Sequence, residues 1–287
     1  MKGFIPYTKD VLFDVIDRIK IFQHNDHVVT QYYGETVNST KVSNRYEIFD
    51  ICSFLKEKVL FIEKNFPITH YRLFLKRGIQ ELTLISDRIK INNTDYYKSF
   101  FILNSTDKSR KLNLNLGLYR ADNETYLISN VCNMSLSKKH LKGVTELAET
   151  ASLSINGETF DEQINSIKSI VGERVMLSEL RKIILGEKAL QVDHRKFDAF
   201  KNQLLNSFTD RVEVSRVERS LLRTNSENMD INKTNDFSID AYKAFNCYIQ
   251  VFRNQDSFIV KKETEKILNI TQCFIRNQKL EKILEMI

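Results

Sequence analysis

The chain has 287 residues, 42% hydrophobic, with 8 glycines, 2 prolines and no tryptophan. That is ample material for a core, and too little Gly and Pro for a collagen-like, linker-rich or low-complexity chain. The formal net charge of +6 is concentrated: between Arg72 and Arg120 there are ten basic residues against four acids, so the rest of the chain is balanced.

Thr8 is a candidate N-cap, and residues 8–23 then place Val11, Leu12, Val15, Ile16, Ile19 and Phe22 at helical spacing. Residues 27–33 (HVVTQYY) read as a strand, and Gly34 opens a polar connection through Ser39. A second helix is expected from Asp50, its cap by sequence, with Ile51, Phe54, Leu55, Val59, Leu60 and Ile62 on its apolar side. Short alternating runs follow at 69–76, 80–85 and 88–91, separated at Arg77-Gly78 and Ser86-Asp87, with a turn at 92–95.

The clearest local pattern is at 102–131. Leu112, Leu114, Leu116 and Leu118 alternate with Lys111, Asn113, Asn115, Gly117 and Tyr119, the period of a half-buried antiparallel strand. Residues 121–124 then form a turn and Thr125 to Val131 returns as its hairpin partner. After Ser135 the period changes to 3.6, with helices expected at 137–153, 158–172, 176–186, 193–208, 238–252 and 263–286 and a polar stretch at 210–235. The expectation is an α+β fold: an antiparallel β-meander with one or two helices over 1–135, then a mainly helical region over 136–287, packed on the sheet or beside it.

A basic surface on the central sheet is the main candidate site, with Lys111, Asn113, Asn115 and Tyr119 on one face by alternation. Lys108, Arg110, Lys111 and Arg120 supply cations for phosphate, Asn113 and Asn115 supply amide edges, and Tyr119 supplies a ring for base stacking. A sheet face of this kind suits sequence-tolerant binding of a single strand. The bland alternative is a solvated face.

Other chemistry finds little support. His24-x-x-His27 has no third ligand at a diagnostic distance, so no metal site is expected. Asp193-His194 and Glu146/Glu149 are the nearest approaches to a carboxylate cluster and read as helix surface. GxxxxGK[ST], GxGxxG and G-x-S-x-G are all absent, so neither a cofactor nor an enzymatic activity is expected. Cys52, Cys132, Cys247 and Cys273 are dispersed without a CxxC pair. With no signal-peptide core and no apolar run near the ~20 residues of a membrane span, a cytoplasmic protein away from the membrane is expected. The apolar helices of the C-terminal half, above all 263–286, are a second candidate, for a homo-oligomer contact or a protein partner.

Three segments carry a family resemblance. They are Val42-Ser43-Asn44-Arg45-Tyr46, then 104–109 (NSTDKS) with Leu116-Gly117-Leu118-Tyr119-Arg120, and Ala241-Tyr242-Lys243-Ala244-Phe245-Asn246. Over residues 40–250 their order resembles the phage/plasmid-like domain of unknown function 932. Thr106 and Lys108 stand where that family tends to have His and Gly, and Asp122-Asn123 stands for its Cys-Ser/Thr-Asn. The resemblance implies a phage or mobile-element origin, a host-cytoplasm location and an association with nucleic acid; it implies no reaction. The leading expectation is a non-enzymatic nucleic-acid-binding protein, and the competing one a protein-interaction factor that uses its C-terminal helices on host or phage proteins.

Overall fold

The computed structural model describes residues 3–42, 48, 50–76, 78–105, 112–122, 125–128, 137–138, 158–176, 194–207 and 238–252. The chain divides into two compact units: residues 1–90, 94–124 and 128–160 form the first, and 91–93, 125–127 and 161–287 the second.

The first unit opens with β1 (Ile5–Pro6), α1 (Lys9–Asp17) and β2 (Ile19–His24). The helix expected to run through residue 23 stops early, and its Thr8 makes no side-chain cap bond. Beyond Arg18 the residues Ile19, Ile21 and Gln23 alternate with Lys20, Phe22 and His24, and this two-residue period with β-branched Ile wins over the helical count. A turn with Asn25 in the left-handed region (φ 55°) leads into β3 (His27–Tyr32). Tyr33 and Gly34 both have positive φ, 53° and 84°, which is the two-residue hairpin turn that matches strand twist. The stretch expected as a polar connection is therefore a third strand, β4 (Glu35–Lys41), completing a β2-β3-β4 sheet.

Behind this small sheet lies α2 (Ile51–Asn65), capped as its sequence indicates: the Ser53 amide donates to Asp50 Oδ1 at 3.1 Å. Lys9–Glu63 (3.4 Å) and Lys56–Asp17 pair α1 with α2 in opposite directions. Leu12, Ile16, Ile19, Val28 and Ile51 are buried, and the Cys52 thiol donates to the Ile19 carbonyl at 3.2 Å.

The larger sheet of this unit is built from β5 (His70–Lys76), β6 (Ile79–Ile91), β7 (Thr94–Ser105), β8 (Leu112–Arg120) and β10 (Ser137–Lys138), while β9 (Thr125–Ile128) falls almost wholly in the second unit. Its order is β1-β5-β6-β7-β8-β10. No break occurs at Ser86-Asp87, where two strands were expected; β6 runs through. Asn92 and Asn93, with φ of 43° and 64°, turn β6 into β7. Central residues of β6, β7 and β8 are buried on both faces, Leu82 and Leu84 as much as Thr83, and Phe100 as much as Ser99. On one side Phe100 meets Phe66 at 5.3 Å and Phe160 at 5.5 Å.

The second unit takes most of α3 (Glu158–Lys168), then β11 (Arg174–Met176), α4 (His194–Asn206), β12 (Ser238–Asp240) and α5 (Ala241–Phe252). β11 pairs antiparallel with β12, with Val175 opposite Ile239. Asp240 caps α5 through the Lys243 amide at 2.7 Å, and Phe200 of α4 meets Tyr248 of α5 at 6.4 Å. The buried stripe of α5 (Tyr242, Phe245, Cys247, Tyr248, Ile249) is thus core.

These observations correct the expected architecture. The N-terminal part is not one meander but two sheets, and the larger draws its outer strands from residues 5–6 and 137–138. Nor is the region after residue 135 simply helical: Ser137–Lys138 is a strand where a helix was expected, and β11 and β12 form a sheet of their own. Among the described residues helix and strand are mixed along the whole chain. The helices expected at 176–186 and 263–286 and the stretch 210–235 fall outside the described residues, save Met176, which closes β11.

Candidate nucleic-acid interface

The face of β8 expected to be open is closed. Leu116 and Leu118 are buried as anticipated, but Asn115 (6% exposed), Tyr119 (0%) and Arg120 (3%) are buried too. The Tyr119 ring lies 5.0 Å from that of Phe4 and 6.5 Å from that of Tyr97. Arg120 donates from Nε to Asp122 Oδ1 at 2.6 Å and lies over the Tyr96 ring. Asn113 stands in β8 opposite Leu103 and Ser137; its side chain, and the whole of Lys108, Arg110 and Lys111, lie outside the described residues. Alternation says that the two faces of a strand differ. It does not say that the polar face meets water, and here polar groups are spent inside the sheet, as where Ser99 Oγ donates to the Gly117 carbonyl at 2.8 Å.

Four of the ten cations of 72–120 are paired with carboxylates among the described residues. Arg72 pairs with Glu81 (3.4 Å), Arg88 with Asp95 (2.8 Å), Lys98 with Asp87 (3.7 Å) and Arg120 with Asp122. Burial raises the Glu81 carboxyl above its ordinary range, and the Arg72 guanidinium only partly offsets that. Arg72 itself lies over the Phe4 ring at 4.9 Å. Arg72 and Arg120 are thus built into the sheet, whereas Arg88 stays exposed. Lys76 ends β5 and Ser105 ends β7 at one end of the sheet, because both strands run in the same direction; the connection holding Lys108, Arg110 and Lys111 leaves from that end.

An open sheet face does exist, on β2-β3-β4. Paired residues of adjacent strands share a face, so the register fixes three rows. They are Lys20–Gln31–Thr36, Phe22–Val29–Ser39 and His24–His27–Lys41. On the two outer strands these positions are exposed, and on the central strand half-buried; Val28 (0%) and Thr30 (1%) face the other way, into the core. Phe22, in the middle row, keeps 39% of its surface exposed.

None of the nine positions is acidic, while two are Lys and two His. The nearest carboxylate is at the rim: Asp26, in the β2–β3 turn, holds Lys41 Nζ at 2.9 Å and His27 Nδ1 at 2.7 Å. Those two hydrogen bonds, Lys41's first, keep the Asp26 carboxyl below the usual carboxylate range. Lys20 has no such partner among the described residues. Cations, one ring and neutral hydrogen-bonding groups share an exposed face, the chemistry first expected on β8.

Lys20 and Phe22 were not read as strand residues because 8–23 reads as one helix, with Phe22 counted in its apolar stripe; Gln31 and Lys41 were not weighed as part of a face because 34–39 reads as a connection rather than a third strand. The signal was present: Lys20-x-Phe22-x-His24 followed by Asn25-Asp26 is an alternating strand ending in a turn pair. His24 and His27 face one another across that turn rather than along a helix. Among the described residues no group of three His, Cys, Asp or Glu side chains is placed to hold a metal ion. Burial pushes the Cys52 thiol up to about 11 and raises that of Cys247 as well, which disfavours the thiolate at both. No helix among the described residues is long and apolar enough to cross a membrane.

No family model, no curated protein and no solved structure matches the chain. Of the segments that carry the resemblance, Leu116–Arg120 lies in β8 and Ala241–Asn246 in α5, both largely buried.

Proposed function

We propose that the protein binds nucleic acid, without catalysing a reaction on it, and that the open face of β2-β3-β4 is the contact surface. The observation that carries the proposal is the make-up of that face: nine outward positions with Lys20, Lys41, His24 and His27 and no acid. A polyanion gains from each cation and meets no fixed negative charge until the rim at Asp26. Lys108, Arg110 and Lys111, at the connection between β7 and β8, are proposed as further phosphate donors. Tyr119 and Arg120 are withdrawn from that role because their side chains are buried and engaged. A mobile-element origin, from the family resemblance, belongs to the same proposal and accords with a nucleic-acid partner.

The test is a fluorescence-anisotropy titration with labelled single-stranded and duplex DNA and RNA at low and raised salt. Binding that weakens as salt rises is expected, since phosphate contacts release counterions. Absence of binding to all four probes at low salt overturns the proposal.

A further inference from the structure

Resting on that proposal, we infer that the β2-β3-β4 face selects single strands, by stacking an unpaired base on Phe22 while its cations take the flanking phosphates. A duplex hides its base faces in its own stack, so only an unpaired strand can use an exposed ring of this kind.

Phe22 is suited to this by position as well as exposure. It lies on an edge strand, on the side opposite the buried Ile19 and Val28, and it is in the middle row with Val29 beside it. A large apolar ring left in water this way forgoes burial that the same strand obtains with Ile19 (3% exposed). Ring and aliphatic neighbour stand side by side on adjacent strands, about 5 Å apart. Along β2, Lys20 and His24 stand two residues to either side, about 7 Å away. A strand threaded across the face therefore meets a cation or imidazole on both sides of the ring. Gln31, Thr36 and Ser39 supply neutral donors and acceptors beside it. Charge complementarity favours a nucleic-acid strand over an apolar protein partner: of the nine outward positions only Phe22 and Val29 are apolar, and two are lysines.

The experiment compares a labelled oligothymidylate of about 16 nucleotides, an abasic strand of equal length and the corresponding duplex, against wild type, Phe22→Leu, Phe22→Ala and Phe22→Tyr. Phe22 is exposed, so none of these changes disturbs the core; circular dichroism confirms it. Wild type is expected to bind the oligothymidylate about tenfold or more tighter than the abasic strand, in line with one stacked base. Phe22→Ala and Phe22→Leu lose that preference yet keep their binding to the abasic strand, and Phe22→Tyr retains the preference. Phosphate binding without preference for bases, or a preference unmoved by Phe22→Ala, overturns the inference and leaves the nucleic-acid proposal standing. Failure to bind any probe overturns both. Wild-type self-association that Phe22→Ala abolishes, with equal binding of base-bearing and abasic strands, also overturns the inference and identifies the face as a contact between copies of the chain.

Discussion

Tyr119→Ala separates the two ways of reading the central hairpin. If the ring stood on an open face, its loss would cost little stability and much binding. In the structure Tyr119 is 0% exposed, with Phe4 at 5.0 Å and Tyr97 at 6.5 Å. Truncating a buried aromatic to Ala typically costs about 3–5 kcal/mol, which includes the lost ring contacts and the cavity left behind. With a urea dependence of about 2 kcal/mol per M, a loss of about 4 kcal/mol lowers the unfolding midpoint of the first unit by about 2 M. Urea unfolding followed by far-ultraviolet circular dichroism reads the shift, with amide hydrogen exchange on β7 and β8 to assign the transition to the larger sheet. A loss below about 1 kcal/mol, the scale of a surface substitution, would refute the burial argument.

Removing the α2 cap with Asp50→Ala is expected to cost about 1 kcal/mol at neutral pH, measured by thermal or urea unfolding. The hydrogen bond from Ser53 holds the folded Asp50 carboxyl below its ordinary range. That stabilisation is present above the unfolded value and lost as pH falls through the folded one, so the difference from wild type shrinks in acid. Glu81 behaves oppositely, because burial raises its carboxyl. Its contribution is full below the ordinary carboxylate range and declines as pH rises through the raised value. Glu81→Gln, neutral throughout, should lack that decline in a stability–pH series. Arg88→Gln breaks only an exposed pair with Asp95 and is expected to change stability by less than about 1 kcal/mol and leave nucleic-acid binding unmoved. A large loss of binding would place the interface on the larger sheet instead.

Local chemistry was legible where a single signal stood alone. Asp50 announced a cap and is one, the leucine alternation of 112–118 announced a strand, and the patterns at 158–172 and 193–208 gave helices within a few residues. It misled where two periods overlapped. Val11, Leu12, Val15, Ile16, Ile19 and Phe22 fit a helix, yet the last two belong to a strand whose own alternation begins at Ile19. Long-range pairing was invisible: nothing in Ile5-Pro6 or Ser137-Lys138 shows that they edge one sheet, because such contacts depend on the whole fold. The candidate site followed the same rule. The face first singled out was read from alternation on β8, whose Asn115 and Tyr119 are buried, while the same kinds of residue stand exposed on β2-β3-β4. Burial of Tyr119 and exposure of Phe22 are decided by packing, not by sequence period.

The most direct measurement of the central claim is the salt dependence of single-strand binding, for wild type beside the Lys20→Gln/Lys41→Gln double variant. Each phosphate contact contributes about 0.7 to the slope of log affinity against log salt. If both lysines of the β2-β3-β4 face hold phosphates, the variant's slope is shallower by about 1.4 and its low-salt affinity falls. An unchanged slope, in a variant shown by circular dichroism to be folded, would mean that this face does not touch the nucleic-acid backbone.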